Sequence, residues 1–268
     1  MVNNEDFVLT NGVKIPKVGY GTWQITDRDE CINGTLWALE AGYRHIDTAA
    51  VYGNEQFIKE AFAKGNVKRE DVFVTSKLAA SKKGYDVALE EFEKSLKNLG
   101  MDYLDLYLIH APKPWGDTSD HDYMPENIES WKAMEKLYKD GRIKSIGVSN
   151  FNVEQLKRLM AATEIKPMVN QIRVHIGAPN KEIREFCKQE GILVEAYSPL
   201  ATGRIFANEE VAKMAKKYNV SIAQLCNRWV LQEGMVTLPK SVHKERIYEN
   251  INADFEISKE DMEYLSNL

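Results

Sequence analysis

The chain predicts an α/β fold, a (β/α)8 TIM barrel with an N-terminal β-hairpin capping its floor, and two observations carry that prediction. Eight short apolar runs alternate with helical patterns at roughly 30 residues per unit, which is the strand–helix–strand repeat taken eight times. Six of the helical patterns stop at a glycine just before the next apolar run: Gly42, Gly65, Gly100, Gly141, Gly191 and Gly234. Glycine serves there because it accepts a left-handed conformation without steric cost.

The hairpin comes first. Phe7 to Leu9 and Val13 to Ile15 flank Thr10, Asn11 and Gly12, and Asn-Gly favours a type I′ turn. The barrel strands are expected at 18–20, 45–47, 72–76, 104–109, 143–148, 168–172, 193–197 and 235–238. Helical period is clearest before Gly100, with Tyr85, Leu89, Phe92, Leu96 and Leu99 on one stripe and Glu90, Glu91, Glu93, Lys94 and Lys97 opposite, the mark of a helix lying on a surface. Asn152 with Gln155 resembles a capping box, and Asn180 reads as another N-cap. Trp37, Trp131 and Trp229 read as helix-core residues. Two connections are long, 111–127 and 200–208, and long loops on the carboxyl side of a barrel shape a pocket. No linker or low-complexity tract divides the chain, so a single domain over 1–268 is expected.

Composition narrows the partners. With 268 residues, 44% hydrophobic and 28% charged, the chain has ample length for a full core. A formal charge of -5 argues against nucleic acid, whose phosphate backbone demands a basic face. Cys31, Cys187 and Cys226 form no Cys-x-x-Cys pair and fit a reducing compartment as small core hydrophobes. Met1 to Leu9 lacks a signal-type apolar region, and no run approaches the roughly 18 apolar residues of a membrane span. The expectation is a cytoplasmic protein.

Four polar side chains carry the chemistry. Asp47, Tyr52, Lys77 and His110 each sit at or just past the carboxyl end of an early apolar run, so they are expected to collect at one mouth of the barrel. Residues two apart in a strand face the same way, so His45 and Asp47 point inward. A carboxylate inside a barrel is costly without a partner, and Lys77 is the obvious cation. An ammonium close to the Tyr52 hydroxyl is expected to lower that phenol's pKa from about 10, making Tyr52 a plausible acid. His110 can then hydrogen-bond a substrate oxygen. Protonating a carbonyl still requires electrons, and no side chain here supplies them, so a hydride-carrying cofactor is implied.

The usual dinucleotide fingerprint is absent: Gly19-Tyr20-Gly21-Thr22-Trp23-Gln24 lacks the third glycine. No Tyr-x-x-x-Lys pair and no His-Glu-x-x-His spacing occurs, so no metal is expected. Beyond the last strand, however, Leu238 to Val242 leads into a helix bearing Arg246. Loops after the last two strands of such a barrel commonly bind phosphate at a helix amino terminus. Lys240 and Arg246 add two cations there, the alternative being an ordinary solvated basic cluster.

Taken in order, these segments resemble the aldo-keto reductases nearly end to end. The run from Gly42 to Glu55 resembles that family's first signature; Asp102 to His110, Gly147 to Phe151, Asn170-Gln171, Ala196 to Leu200 and Leu238 to Val242 are similar to its later ones. The resemblance implies NADPH-dependent reduction of small aldehydes or ketones, with Tyr52 as general acid, Lys77 and Asp47 tuning it, and His110 orienting the carbonyl. It implies NADPH extended across the mouth, the nicotinamide stacked on Tyr197 and its carboxamide held by Ser149, Asn150 and Gln171. Lys240, Ser241 and Arg246 take the 2′-phosphate and Asn250 the adenine, with Thr22, Trp23, Asp47, Ser198, Leu200 and Val242 as further cofactor contacts. Trp23, Tyr52, His110 and Trp115 face the substrate, and a monomer is implied.

Two positions depart from the family pattern. Ala111 follows His110 where many relatives place Trp, and Arg173 stands where relatives often carry an acid; an outer-wall salt bridge is one reading of it. The chain stops at Leu268, without the long tail of many animal relatives, which points to a wider site, as in bacterial members resembling diketogluconate or methylglyoxal reductases. Two alternatives remain at this point: a non-catalytic NADPH-binding sensor or accessory barrel, and a Schiff-base lyase using Lys77. The lyase needs a neutral amine, which Asp47 opposes.

Overall fold

A computed structural model describes residues 5–268, so the reading of the amino terminus as lacking a leader falls partly outside the described residues. Strands β1 (Asp6–Val8) and β2 (Lys14–Pro16) pair antiparallel with Phe7 opposite Ile15. Their turn is not type I′, because Asn11 keeps a negative φ while Gly12 alone takes φ 86°. Gly12 N donates to Leu9 O and Leu9 N to Val13 O, both at 2.9 Å, which makes a three-residue loop closed by a left-handed glycine. Asn11 is spent differently: its Oδ1 accepts from Val13 N at 3.2 Å and its Nδ2 donates to Lys144 O at 2.9 Å. That second bond ties the hairpin beneath the barrel, at the amino end of a strand, as expected.

The barrel is built from β3 (Tyr20–Gly21), β4 (His45–Asp47), β5 (Phe73–Leu78), β6 (Leu106–Ile109), β7 (Ile146–Ser149), β8 (Val169–Arg173), β9 (Leu193–Tyr197) and β10 (Val236–Leu238). All eight are parallel and neighbour one another in sequence order. Hydrogen bonds from Gly19 N to Thr237 O at 2.9 Å, Thr237 N to Lys17 O at 3.0 Å and Gly21 N to Pro239 O at 3.0 Å close the ring between β10 and β3. This seam accounts for the glycines of the incomplete fingerprint: a Cβ at Gly19 would lie 2.5 Å from Leu238 and 2.7 Å from His45. Both glycines lie where the backbones of β3 and β10 approach closely.

Helices α1 (Arg28–Ala41), α2 (Glu55–Lys64), α3 (Tyr85–Leu99), α4 (Met124–Lys139), α5 (Val153–Ala162), α6 (Lys181–Glu190), α7 (Glu209–Lys217), α8 (Ile222–Gln232), α9 (Lys244–Ile251) and α10 (Lys259–Leu265) surround the strands. The capping box at Asn152 and Gln155 forms. Asn180, by contrast, does not cap α6: it is itself left-handed, and its Nδ2 donates to Arg173 O at 2.6 Å. Gly65 is helical at φ -81° and the left-handed position passes to Asn66; a Cβ at 65 would meet the Leu36 side chain at 2.8 Å, which would have to shift. Trp131 and Trp229 are fully buried, each indole N–H bonded at 2.9 Å, to Ile165 O and Ser266 Oγ, as a buried donor requires. Among the described residues no helix is long and apolar enough to cross a membrane.

Candidate active site

Strand ends place the polar groups. Asp47 closes β4, Lys77 is the penultimate residue of β5, His110 follows β6, and Tyr52 ends a short 3-10 turn after β4. Lys77 is fully buried; its Nζ donates to Asp47 Oδ1 at 2.7 Å and to Thr48 O at 2.8 Å, and lies 5.2 Å from the Tyr52 ring centroid. The His110 ring meets Tyr52 edge-on, centroids 5.5 Å apart. The four expected residues therefore converge.

Their electrostatics correct one expectation. The Tyr52 phenol is held above its ordinary pKa, not below it: burial raises it, Asp47 adds to the rise, and the Lys77 ammonium only partly opposes them. Distance to a cation was the wrong guide because desolvation of the phenolate is the larger effect. Burial alone would push Lys77 down, yet Asp47 and the Tyr52 hydroxyl outweigh it and the amine stays charged. His110 is driven down to about 3 by burial and by the Lys77 charge, so its imidazole is neutral and keeps one N–H to donate.

A fifth group went unread in the sequence. Glu195, in the middle of β9, is fully buried beneath Asp47. Gln171 joins the two, its Nε2 donating to Asp47 Oδ2 at 2.8 Å and to Glu195 Oε2 at 2.9 Å. Burial, and then Asp47, push the Glu195 carboxyl up to about 8. The signal was present: Leu193, Glu195 and Tyr197 share one face of an otherwise apolar run, and an acid there must enter the barrel. His45 sits on the opposite wall, Nε2 2.9 Å from Thr75 Oγ1 and 3.8 Å from Glu195 Oε1, and burial lowers it to about 4.

Above this layer opens a cleft of about 1090 Å3, slightly beyond the roughly 300–1,000 Å3 of ordinary small-molecule sites. Asp47, Tyr52, His110, Trp23 and Trp115 border one part; Ser149, Asn150, Gln171, Tyr197, Ser198 and Leu200 another; Lys240, Ser241, Arg246 and Asn250 the far end. Trp23 and Trp115 are 45% and 61% exposed, with Trp115 edge-on to His110 at 6.0 Å, so both ring faces can meet a ligand. Two of the expected contacts stay off the cleft: Thr22 is fully buried with its hydroxyl donated to Asp47 O at 2.9 Å, and Val242 packs against the core. Arg173 is on the cleft wall, not in an outer salt bridge; its guanidinium pairs with no carboxylate among the described residues.

Backbone and donors fit an extended dinucleotide. Gln24, Asn150, Ser198 and Thr202 line the cleft with positive φ, a strain that clusters at functional sites. The Tyr197 hydroxyl donates to Asn150 Oδ1 at 2.8 Å, and Asn150 Nδ2 donates to Ser149 Oγ at 2.9 Å and to His110 O at 3.1 Å, holding one wall rigid. With both Gln171 amide protons committed inward, its Oε1 is left to accept from a ligand. Lys240, just before α9, and Arg246, in its first turn, are both exposed.

Residues 17–268 match the Aldo/keto reductase family. The chain belongs to that family. It is 46% identical over 261 residues to the glyoxal reductase of Bacillus subtilis (strain 168), covering 97% of this chain and 91% of the relative. An aldo/keto reductase from Brucella melitensis superposes with a TM-score of 0.91 at 39% identity, 98% of each chain being covered. A Bombyx mori aldo-keto reductase solved in complex with NADP superposes at 0.88 with 37% identity, covering 98% of this chain and 92% of its own. Membership accounts for an oxidoreductase cleft on an eight-stranded barrel and for the order of motifs along the chain.

Proposed function

We propose that this protein reduces small aldehydes and ketones to alcohols with NADPH, in a single domain spanning 1–268. The observation that carries the reading is the buried Lys77 ammonium, locked to Asp47 at 2.7 Å and set 5.2 Å from the Tyr52 ring at the rim of the cleft. NADPH supplies a hydride when bound, and the residues disposed to hold it are Tyr197 under the nicotinamide, Ser149, Asn150 and Gln171 at the carboxamide, and Lys240, Ser241 and Arg246 at the 2′-phosphate.

The remaining chemistry is the chain's own. A phenol with a raised pKa stays protonated through the neutral range, so Tyr52 has its proton ready for the carbonyl oxygen as charge develops there. The tyrosinate left behind is stabilised by Lys77, whose charge Asp47 maintains. Neutral His110 donates a hydrogen bond to the same oxygen and orients it. Trp23 and Trp115 form apolar walls and help exclude water.

A charged Lys77 is a poor Schiff-base nucleophile, which disfavours the lyase, and the complete Tyr52–Lys77–Asp47–His110 set gives a mere sensor no use for its chemistry. The test is NADPH oxidation with glyoxals, diketones, aldoses and aromatic aldehydes. Saturable turnover with at least one class is expected; none with any class, in protein shown to bind NADPH, contradicts the reading.

A further inference from the structure

Arg173 is the cation of the cleft that nothing above employs. It ends β8 two residues beyond Gln171, so its side chain leaves on the face that points into the mouth. It stands in register with Tyr197 of β9 and lines the same cleft. The Arg173 Nε is shielded from solvent and has no hydrogen-bond acceptor, and the guanidinium finds no carboxylate among the described residues. The two acids of the cleft are Asp47, already held by Lys77 and Gln171, and Glu249 on α9 beyond β10. A half-buried guanidinium with an unmet donor is costly unless an anion completes it, and its planar fork suits carboxylate or phosphate oxygens.

We propose that Arg173 is an oxyanion-binding position of the cleft, meeting a carboxylate or phosphate oxygen of the ligand. Strand order puts it two strands from His110 on one side and two from Lys240 on the other. An anionic group on the carbonyl substrate and the cofactor's pyrophosphate are therefore the two sources. The first makes the protein selective for carbonyl compounds that carry a negative charge. This rests on the reductase reading for what the cleft holds, not for whether an anion binds.

The test compares 4-carboxybenzaldehyde with its methyl ester, which keeps the ring and the para carbonyl group but loses the charge. Binding of each to the NADP+ complex, and of NADPH to the free protein, is measured by calorimetry in phosphate- and sulfate-free buffer for wild type, Arg173→Gln and Arg173→Lys. Turnover is not required, so failure of the reductase reading leaves these arms intact. In Arg173→Gln the acid-to-ester affinity ratio is expected to fall roughly 10- to 100-fold, the range of a charge-assisted bond, with Arg173→Lys retaining part of it. A comparable loss of NADPH affinity with an unchanged ratio assigns the anion to the pyrophosphate and supports the site equally. If both quantities stay within about threefold of wild type, or if acid and ester weaken together without any change in NADPH binding, Arg173 recognises no anion and the proposal is overturned.

Discussion

The layer beneath Tyr52 and the loop after β10 are both built of charged groups, and they are built in opposite ways. Under Tyr52 the charges are buried and already answered: Lys77 holds Asp47, and Gln171 bridges Asp47 to Glu195. After β10 they are exposed and waiting, with Lys240 and Arg246 standing around the start of α9. In the first region the protein itself keeps the geometry, so ligand binding has little to organise there. In the second, under the proposed function, the cofactor's phosphate would supply the counter-charge, and affinity would then depend on that phosphate and on ionic strength. Preorganisation belongs to the chemistry and responsiveness to the binding.

The largest effect expected from this contrast is at Lys77. Lys77→Met leaves Asp47 buried without its cation, and breaking such a pair costs about 3–5 kcal/mol. Urea denaturation should show that loss, and carbonyl reduction should fall at least about 100-fold. The double variant Asp47→Asn/Lys77→Met should regain most of the stability and none of the rate. Full recovery of rate would mean that the pair is structural only.

At the open end the expected effect is smaller and selective. Arg246→Ala should weaken NADPH about 10- to 100-fold and leave NADH nearly unchanged, because only NADPH carries the 2′-phosphate. Arg246→Lys should recover part, since the fork is lost but the charge remains. Rising salt should weaken NADPH more than NADH, as screening of exposed charges requires. Fluorescence titration with both cofactors checks all three, and equal weakening of the two would return Lys240 and Arg246 to a solvated surface cluster.

The last effect is one of pH and concerns Glu195, whose carboxyl is raised from an ordinary 4.5 to about 8 by burial and by Asp47. Between those values the folded chain holds a proton that the unfolded chain has released, so stability falls as pH rises through that window. Glu195→Gln removes the titration. Its stability relative to wild type should therefore be higher at pH 8 than at pH 5, read from urea midpoints at both. An equal difference at the two pH values contradicts a proton held on Glu195 in the folded chain.

The two regions were also unequally legible in the sequence. Asp47, Lys77 and His110 were readable because each interrupts or ends an apolar run, and strand alternation says which way it points. Glu195 obeys the same rule, but it lies one residue before the motif Ala196-Tyr197-Ser198 and carries no motif of its own. The Tyr52 pKa was misjudged in direction because a sequence reports neighbours better than it reports dryness. Asn11 and Asn180 depart from expectation for a related reason: each spends its side chain on a backbone group distant in the chain or at the end of the preceding strand, at Lys144 and Arg173, which overrides the local turn or cap preference. The outer-wall expectation for Arg173 fails because the register of β8 sets it beside Tyr197.

The central claim is that Tyr52 gives the proton. Tyr52→Phe removes the hydroxyl and leaves the ring in contact with His110, so NADPH affinity should stay within about threefold of wild type. Single-turnover oxidation of bound NADPH by a carbonyl substrate should slow about 100- to 10,000-fold, the usual range for a lost general acid. A variant that retained more than roughly a tenth of the wild-type single-turnover rate would show that the proton comes from elsewhere.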